Sequence, residues 1–240
     1  MNAMRDYFIH PAQTNLELYA QAIDHGYSKT QRRRLGDAYV FAFRQVFPLA
    51  RGSGKPFIAH LVGTASLVLE SGCPEDWVLG GLLHALYQGR VPFEGHLLPD
   101  DRRCVLKERF GNSVDDLVYR YTSFETENLR DVDSCKDGSG SSDVLTLRLA
   151  DELEDLSGNS LALHGNSEPN EDRVFGGYAS RREMKVVQAP SLLALAQSLD
   201  LHGMHEGFLH WLDFESSPQE LEDMRTGWLS SVNLATGVHA

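Results

Sequence analysis

Two histidines carry the first chemical signal in this chain. The stretch from Arg51 to Gly89, RGSGKPFIAHLVGTASLVLESGCPEDWVLGGLLHALYQG, reads as two apolar helices joined at Gly72-Cys73-Pro74. His60 stands near the start of the first helix and His84 near the end of the second. At about 1.5 Å per residue they lie roughly 18 Å before and roughly 14 Å after the turn. In an antiparallel hairpin those ends meet, and two imidazoles converging among aliphatic side chains suit a metal ion. Tyr87, three residues beyond His84, is expected on the same helical side, as a hydrogen-bond donor or acid/base group. Arg51 and Lys55, in the loop before the first helix, are expected to meet a carboxylate or phosphate of a substrate.

The elements that must position these groups are helical. Thr14 or Asn15 can cap LELYAQAIDHG with Gly26 as its stop, and Ser28 can cap KTQRRRLGDAYVFAFRQVF. Helices are expected at about 57–71 and 75–88, the second apolar almost all round and therefore central. Gly80 and Gly81 would weaken an exposed helix, so a close-packed neighbour is expected there. Two shorter helices follow on either side of Gly111, then a polar segment at 131–143. An amphipathic helix follows at 143–156, with Asp143 as its cap. A long polar stretch, 157–177, precedes helices near 178–188, 190–201, 203–213 and 217–230. No run alternates with period two, so the fold class is all-α.

Composition narrows the function. With 240 residues and 42% hydrophobic content, the chain suits one large domain, or one with an appendage. No run of 18 apolar residues predicts a membrane span, and the N-terminus lacks the layout of a signal peptide. Cys73, Cys104 and Cys135 are odd in number and widely spaced, which fits a reducing cytoplasm. A net charge of −12 argues against nucleic acid, and the basic run Gln31 to Arg34 is read as a solvated face. Asp100, Asp101, Asp115 and Asp116 are likewise read as solvated helix charges. His202, His205 and His210 lack the four-residue spacing of a zinc signature. Lys55 is followed by Pro56, so Gly52 and Gly54 open no Walker loop. Phe208, Trp211 and Trp228 are expected as core anchors.

Four strings, RGSGKPFIAH (51–60), GLLHA (81–85), RFGNSVDDLV (109–118) and LRLADEL (147–153), occur in this order. Together they resemble the HD-domain superfamily, and within it the hydrolase domains of alarmone enzymes. The resemblance covers roughly residues 30–157. It implies an HD-like helical bundle at 1–157 and a C-terminal helical extension at 158–240. The family's metal ligands fall on His60, His84, position 85 and Asp151. Position 85 is Ala85, so the carboxylate that names the family is missing. The acidic pair that follows in alarmone hydrolases falls near Gln88 and Gly89. The nucleotide-holding segment reads Ala150-Asp151-Glu152-Leu153-Glu154-Asp155, so alarmone hydrolysis is not expected. The chain is also similar to a group of small bacterial HD-like proteins carrying SGKPFxAHLVGT and a His-Ala-x-Tyr string, which bears on fold rather than activity.

The resemblance leaves His60, His84 and Asp151 as a two-His-one-carboxylate set for a divalent metal, with Fe, Mn or Zn all compatible. The first functional expectation is therefore a metal-dependent hydrolase or oxygenase acting on a small polar or anionic metabolite. Two alternatives stand beside it. One is a metal-free isomerase, lyase or cyclase in which His60 or His84 is the general base, oriented by Tyr87 and Asp151. The other is a binding or assembly protein, with the histidines as core residues and Asp151 paired to Arg148 or to a helix end. The homodimer is left open as a partner.

Overall fold

The computed structural model describes residues 8, 10–47, 49–51, 55–87, 91, 99–124, 141–157 and 178–213. Nine helices lie among them: α1 (Asn15–Asp24), α2 (Lys29–Val46), α3 (Phe57–Glu70), α4 (Glu75–Leu83), α5 (Pro99–Phe110), α6 (Asn112–Ser123), α7 (Ser142–Leu156), α8 (Tyr178–Ser198) and α9 (His202–Asp213). No strand occurs among the described residues, and the fold is all-α. The expected helix at 217–230 and the loop segments 125–140 and 158–177 lie outside the described residues, as do Trp228 and the positions Gln88 and Gly89.

Local chemistry sets the helix boundaries. Thr14 and Glu17 form a reciprocal capping box at the head of α1, and Ser28 and Gln31 form another at α2. The turn between α3 and α4 is made by Gly72, at φ +70. There the Gly72 N–H donates to Leu69 O and the Cys73 N–H to Val68 O, the paired bonds of a glycine helix stop. Pro74 then enters α4 without needing a donor. Three boundaries differ from expectation. Ser141 rather than Asp143 precedes α7, so Asp143 sits in the first turn. Pro190 lies inside α8 instead of separating two helices. Finally, α4 stops at Leu83, and residues 84–87 form a turn.

Helix α4 is the centre of the bundle, touched by α2, α3, α6 and α7. Val78 to Leu83 are all buried. The close approach expected at its glycines is present. A Cβ on Gly81 would stand 2.7 Å from the Ala65 Cα of α3, and one on Gly80 would stand 2.7 Å from Leu117 Cδ2 of α6. Backbone-to-backbone contact of α3 and α4 brings the head of one helix beside the tail of the other. Helix α7 packs on α3, α4 and α6, and α8 and α9 pack on α7. Phe208 and Trp211 of α9 are buried, as expected of core anchors.

Two polar readings are corrected by the packing. Asp115 is fully buried, and Arg103, Lys107 and Tyr87 surround it, whereas Asp101 and Asp116 are exposed, Asp116 beside Arg120. The basic run on α2 is also not one solvated face. Arg34 reaches Glu75 at 3.0 Å, Asp76 at 3.1 Å and the Phe110 carbonyl at 3.1 Å, and so ties α2 to α4 and α5.

Candidate metal centre

His60 is the fourth residue of α3, and His84 follows the last residue of α4. Their ring centroids lie 5.2 Å apart, at 79° to one another. The hairpin thus brings the two imidazoles together as the residue count implied. Helix α7 supplies the third group. Asp151 Oδ1 lies 3.0 Å from His60 Nε2 and 3.8 Å from His84 Nε2. One donor atom from each of His60, His84 and Asp151 falls within 4.8 Å of the others. These buried residues could hold a metal ion.

The surroundings orient each donor. His84 Nδ1 is 2.8 Å from the Gly81 carbonyl, which can only accept, so Nδ1 carries the proton and Nε2 carries the lone pair. Burial lowers the His84 pKa to about 4, with His60 and Arg51 adding to the fall and Asp151 opposing it; the ring is neutral at pH 7. His60 Nδ1 is 2.6 Å from Glu154 Oε2, a carboxylate acceptor, so its Nε2 is the atom left to face Arg51 and Asp151. Burial and Arg51 work to lower the His60 pKa, but Glu154 and Asp151 outweigh them and raise it. An acceptor behind each ring nitrogen that faces away from a common point is the usual outer support of metal-bound histidine.

Asp151 is held by one oxygen. Its Oδ2 accepts from the Tyr121 hydroxyl and, at 3.2 Å, from Arg148 Nη1. The expected Arg148 pairing is therefore real, but it occupies only one side of the carboxylate. Oδ1 is buried and has no hydrogen-bond partner; His60 Nε2 at 3.0 Å lies near it without hydrogen-bond alignment. Burial alone would raise the Asp151 pKa, yet His60, His84 and Arg148 hold it well below its ordinary value. Arg148 is the cation beside Oδ2, and Oδ1 is the oxygen that faces the two imidazole nitrogens.

Charged residues around these three complete the centre. Glu154 is fully buried, against the Lys55 ammonium and His60. Despite burial, Lys55 and His60 lower its pKa to about 2. Burial pulls Lys55 below its ordinary value, and the adjoining Glu154 works against that fall. Arg51 makes a two-pronged contact with Asp155, at 2.6 and 2.5 Å, and its Nη1 is 3.0 Å from His60 Nε2. A second set of close ligand atoms, from His60, Glu154 and Asp155, overlaps the first through His60. Arg51 and Lys55 emerge from a small loop pinned by an Ala50–Pro56 bridge and by Arg51 N–H to Lys55 O at 2.9 Å.

Two expected roles change. Lys55 is 1% exposed and is the counter-ion of Glu154, so it offers no ammonium to a substrate. Tyr87 lies outside the centre; its hydroxyl donates to Asp115, which also binds Arg103. The i, i+3 argument that placed it beside His84 needs a continuing helix, and α4 has already ended. Burial and Asp115 raise the Tyr87 pKa far above that of a free phenol. Sequence reading missed Glu154, Asp155 and Tyr121. The first two had a legible signal, since Glu154 and Asp155 lie three and four residues beyond Asp151 on an amphipathic helix. Tyr121 had none.

Residues 50–125 match a family described as a domain of unknown function, DUF6817. The matched stretch spans both histidines, Arg51, Lys55 and Tyr121, and ends before Asp151 and Glu154 of α7. No curated protein matches the chain.

Proposed function

We propose that the chain is a metal-dependent enzyme on a degenerate HD-like fold, with His60, His84 and Asp151 as the ligands. One observation carries this reading: Asp151 Oδ1 is buried without a hydrogen-bond partner, opposite two imidazoles whose Nδ1 atoms are already committed. Three protein donors leave coordination positions open, the arrangement of catalytic rather than structural sites. The mixed nitrogen and oxygen set suits Mn, Fe or Zn. Such an ion would supply a polarised oxygen and an activated water. The order of the four sequence strings, and the placing of Ala85 where the naming carboxylate would stand, favour the HD-like relation and argue against alarmone hydrolysis. The substrate class is a small polar or anionic metabolite, for which Arg51 is the nearest cation at the centre. The cytoplasm is the proposed location. No helix among the described residues is long and apolar enough to cross a membrane.

A second reading has its own support. The Arg51 guanidinium already stands 3.0 Å from His60 Nε2, so it can serve as the centre's cation in a metal-free enzyme or a binding protein. Elemental analysis of protein purified without chelator, and after loading with Mn²⁺, Fe²⁺ or Zn²⁺, separates the two. The metal reading expects one ion per chain in the wild type. It expects His84→Ala to lose the ion with helix content by circular dichroism unchanged. Stoichiometric metal retained in His84→Ala, or a wild type that takes up none of the three ions, overturns it.

A further inference from the structure

Helices α1 and α2 are apolar on the side away from the core as well as on the side facing it. Leu18, Gln21 and Ala22 of α1 are buried, and Leu16, Tyr19 and Ile23 line the opposite face, exposed. On α2, the core takes Leu35, Ala38, Phe41, Ala42 and Val46, and a second stripe runs through Tyr39, Val40 and Phe43 to Phe47. The three aromatics of that stripe stack in line, Tyr39 to Phe43 at 6.2 Å and Phe43 to Phe47 at 5.3 Å. Arg32 lies over the Tyr19 ring at 5.9 Å and joins the two stripes. Of the eight exposed large apolar residues among the described residues, six fall on this one helical pair.

We infer that this face is the contact between two copies of the chain, paired about a twofold axis with α1 of one copy against α2 of the other. Three observations select a second copy as the occupant. The first is area. The six side chains are between 37% and 76% exposed and together present roughly 600 Å², taking about 150–250 Å² for a whole large side chain. A stable interface buries about 800 Å² per partner, somewhat over half of it apolar, so the patch is the right size for a core with a polar rim.

The second observation is charge. Helix α1 has two acids and no base, whereas α2, with the inward-paired Arg34 set aside, has four bases and one acid. A twofold pairing that sets α1 against α2 therefore joins opposite charges at both ends. On a chain of net charge −12, this basic-leaning face is also where two copies meet with least repulsion. The third is Gly36, in the α2 interior on the exposed stripe. A Cβ there would meet nothing within 4 Å, so no contact inside the monomer requires glycine. Glycine weakens a helix interior, and a facing helix that must come close supplies the missing reason.

Sedimentation velocity of the full chain over a range of concentrations tests this, with helix content followed by circular dichroism. The wild type is expected to dimerise. Leu16→Glu and Phe47→Glu, at the two most exposed positions, should each weaken association at least 100-fold with helix content unchanged. Gly36→Ala should weaken association about tenfold or more and Gly36→Trp at least 100-fold, each with the chain folded. A wild type that stays monomeric at high micromolar concentration overturns the inference. So does a dimer indifferent to both Glu variants. A monomer that instead binds vesicles of anionic phospholipid through these residues would show a membrane, and not a second copy, as the occupant.

Discussion

The chemistry of the centre depends on which atom of each side chain is already in use. Glu154 is the clearest case, because it serves two partners at once: Lys55 on Oε1 and His60 on Oε2. Glu154→Gln keeps the shape and removes the charge. It takes from the buried Lys55 ammonium the carboxylate it pairs with, and breaking a buried pair in this way costs about 3–5 kcal/mol. Urea unfolding of the two proteins measures that loss directly. The same change leaves one acceptor oxygen for the two donors, Lys55 and His60, and removes the charge behind His60, and loss of such outer support lowers metal affinity by about 10–100-fold. Titration of the bound ion against a competing chelator checks the second effect. Unchanged affinity in Glu154→Gln would show that His60 does not depend on the Glu154 charge for its support.

At the scale of elements, the polar residues of α7 divide between holding the helix and serving the centre. Asp143, in the first turn, pairs with Arg120 of α6 at 2.6 Å and accepts from its neighbouring Val144 N–H at 2.8 Å. Burial opposes ionisation, but Arg120 and Ser141 prevail and lower its pKa from 3.8 to about 2. A depressed carboxylate pKa stabilises the fold above the unfolded value and loses that contribution as pH falls through the folded one. The α6–α7 link should therefore weaken between about pH 4 and pH 2, by about 1–2 kcal/mol allowing for partial exposure. Asp143→Asn should be less stable than the wild type at pH 7 and converge with it near pH 2. Parallel denaturant curves at the two pH values decide this. Helix α4 shows the other use of an element: by stopping at Leu83 it turns His84 toward α3 and α7, and it sends Tyr87 to Asp115.

For the whole molecule, the three proposed ligands come from α3, the turn after α4, and α7, so an ion at the centre would join α7 to a hairpin far from it in the chain. An ion that binds only the folded state stabilises it by mass action, about 2.7 kcal/mol at a hundredfold excess over Kd. For a chain of this size that corresponds to a rise in Tm of about 5–10 °C. Thermal unfolding with and without added Mn²⁺ or Zn²⁺ should show it, and a chelator should reverse it. The rise should be absent in Asp151→Asn if Oδ1 is the ligand. No change in the wild type at saturating metal would favour Arg51 as the centre's resident cation.

The sequence by itself determined the all-α class and where the early helices begin and end, because caps, glycine stops and apolar spacing are local. Thr14, Ser28, Gly26 and Gly72 end or begin helices for reasons confined to a few residues. It also determined that His60 and His84 meet, since a short turn between two helices of similar length leaves little choice. Tertiary structure decided the rest. Whether Asp115 faces water or Arg103 depends on how α5 folds back on α6, and whether Asp151 offers one free oxygen or none depends on Tyr121 and Arg148 reaching it from other elements. Tyr87 was misplaced because the end of α4 is set by three-dimensional packing rather than by a local stop signal. Burial turned Lys55 from a candidate substrate contact into the counter-ion of Glu154, since a charge removed from water must be neutralised by whichever opposite charge the fold brings to it.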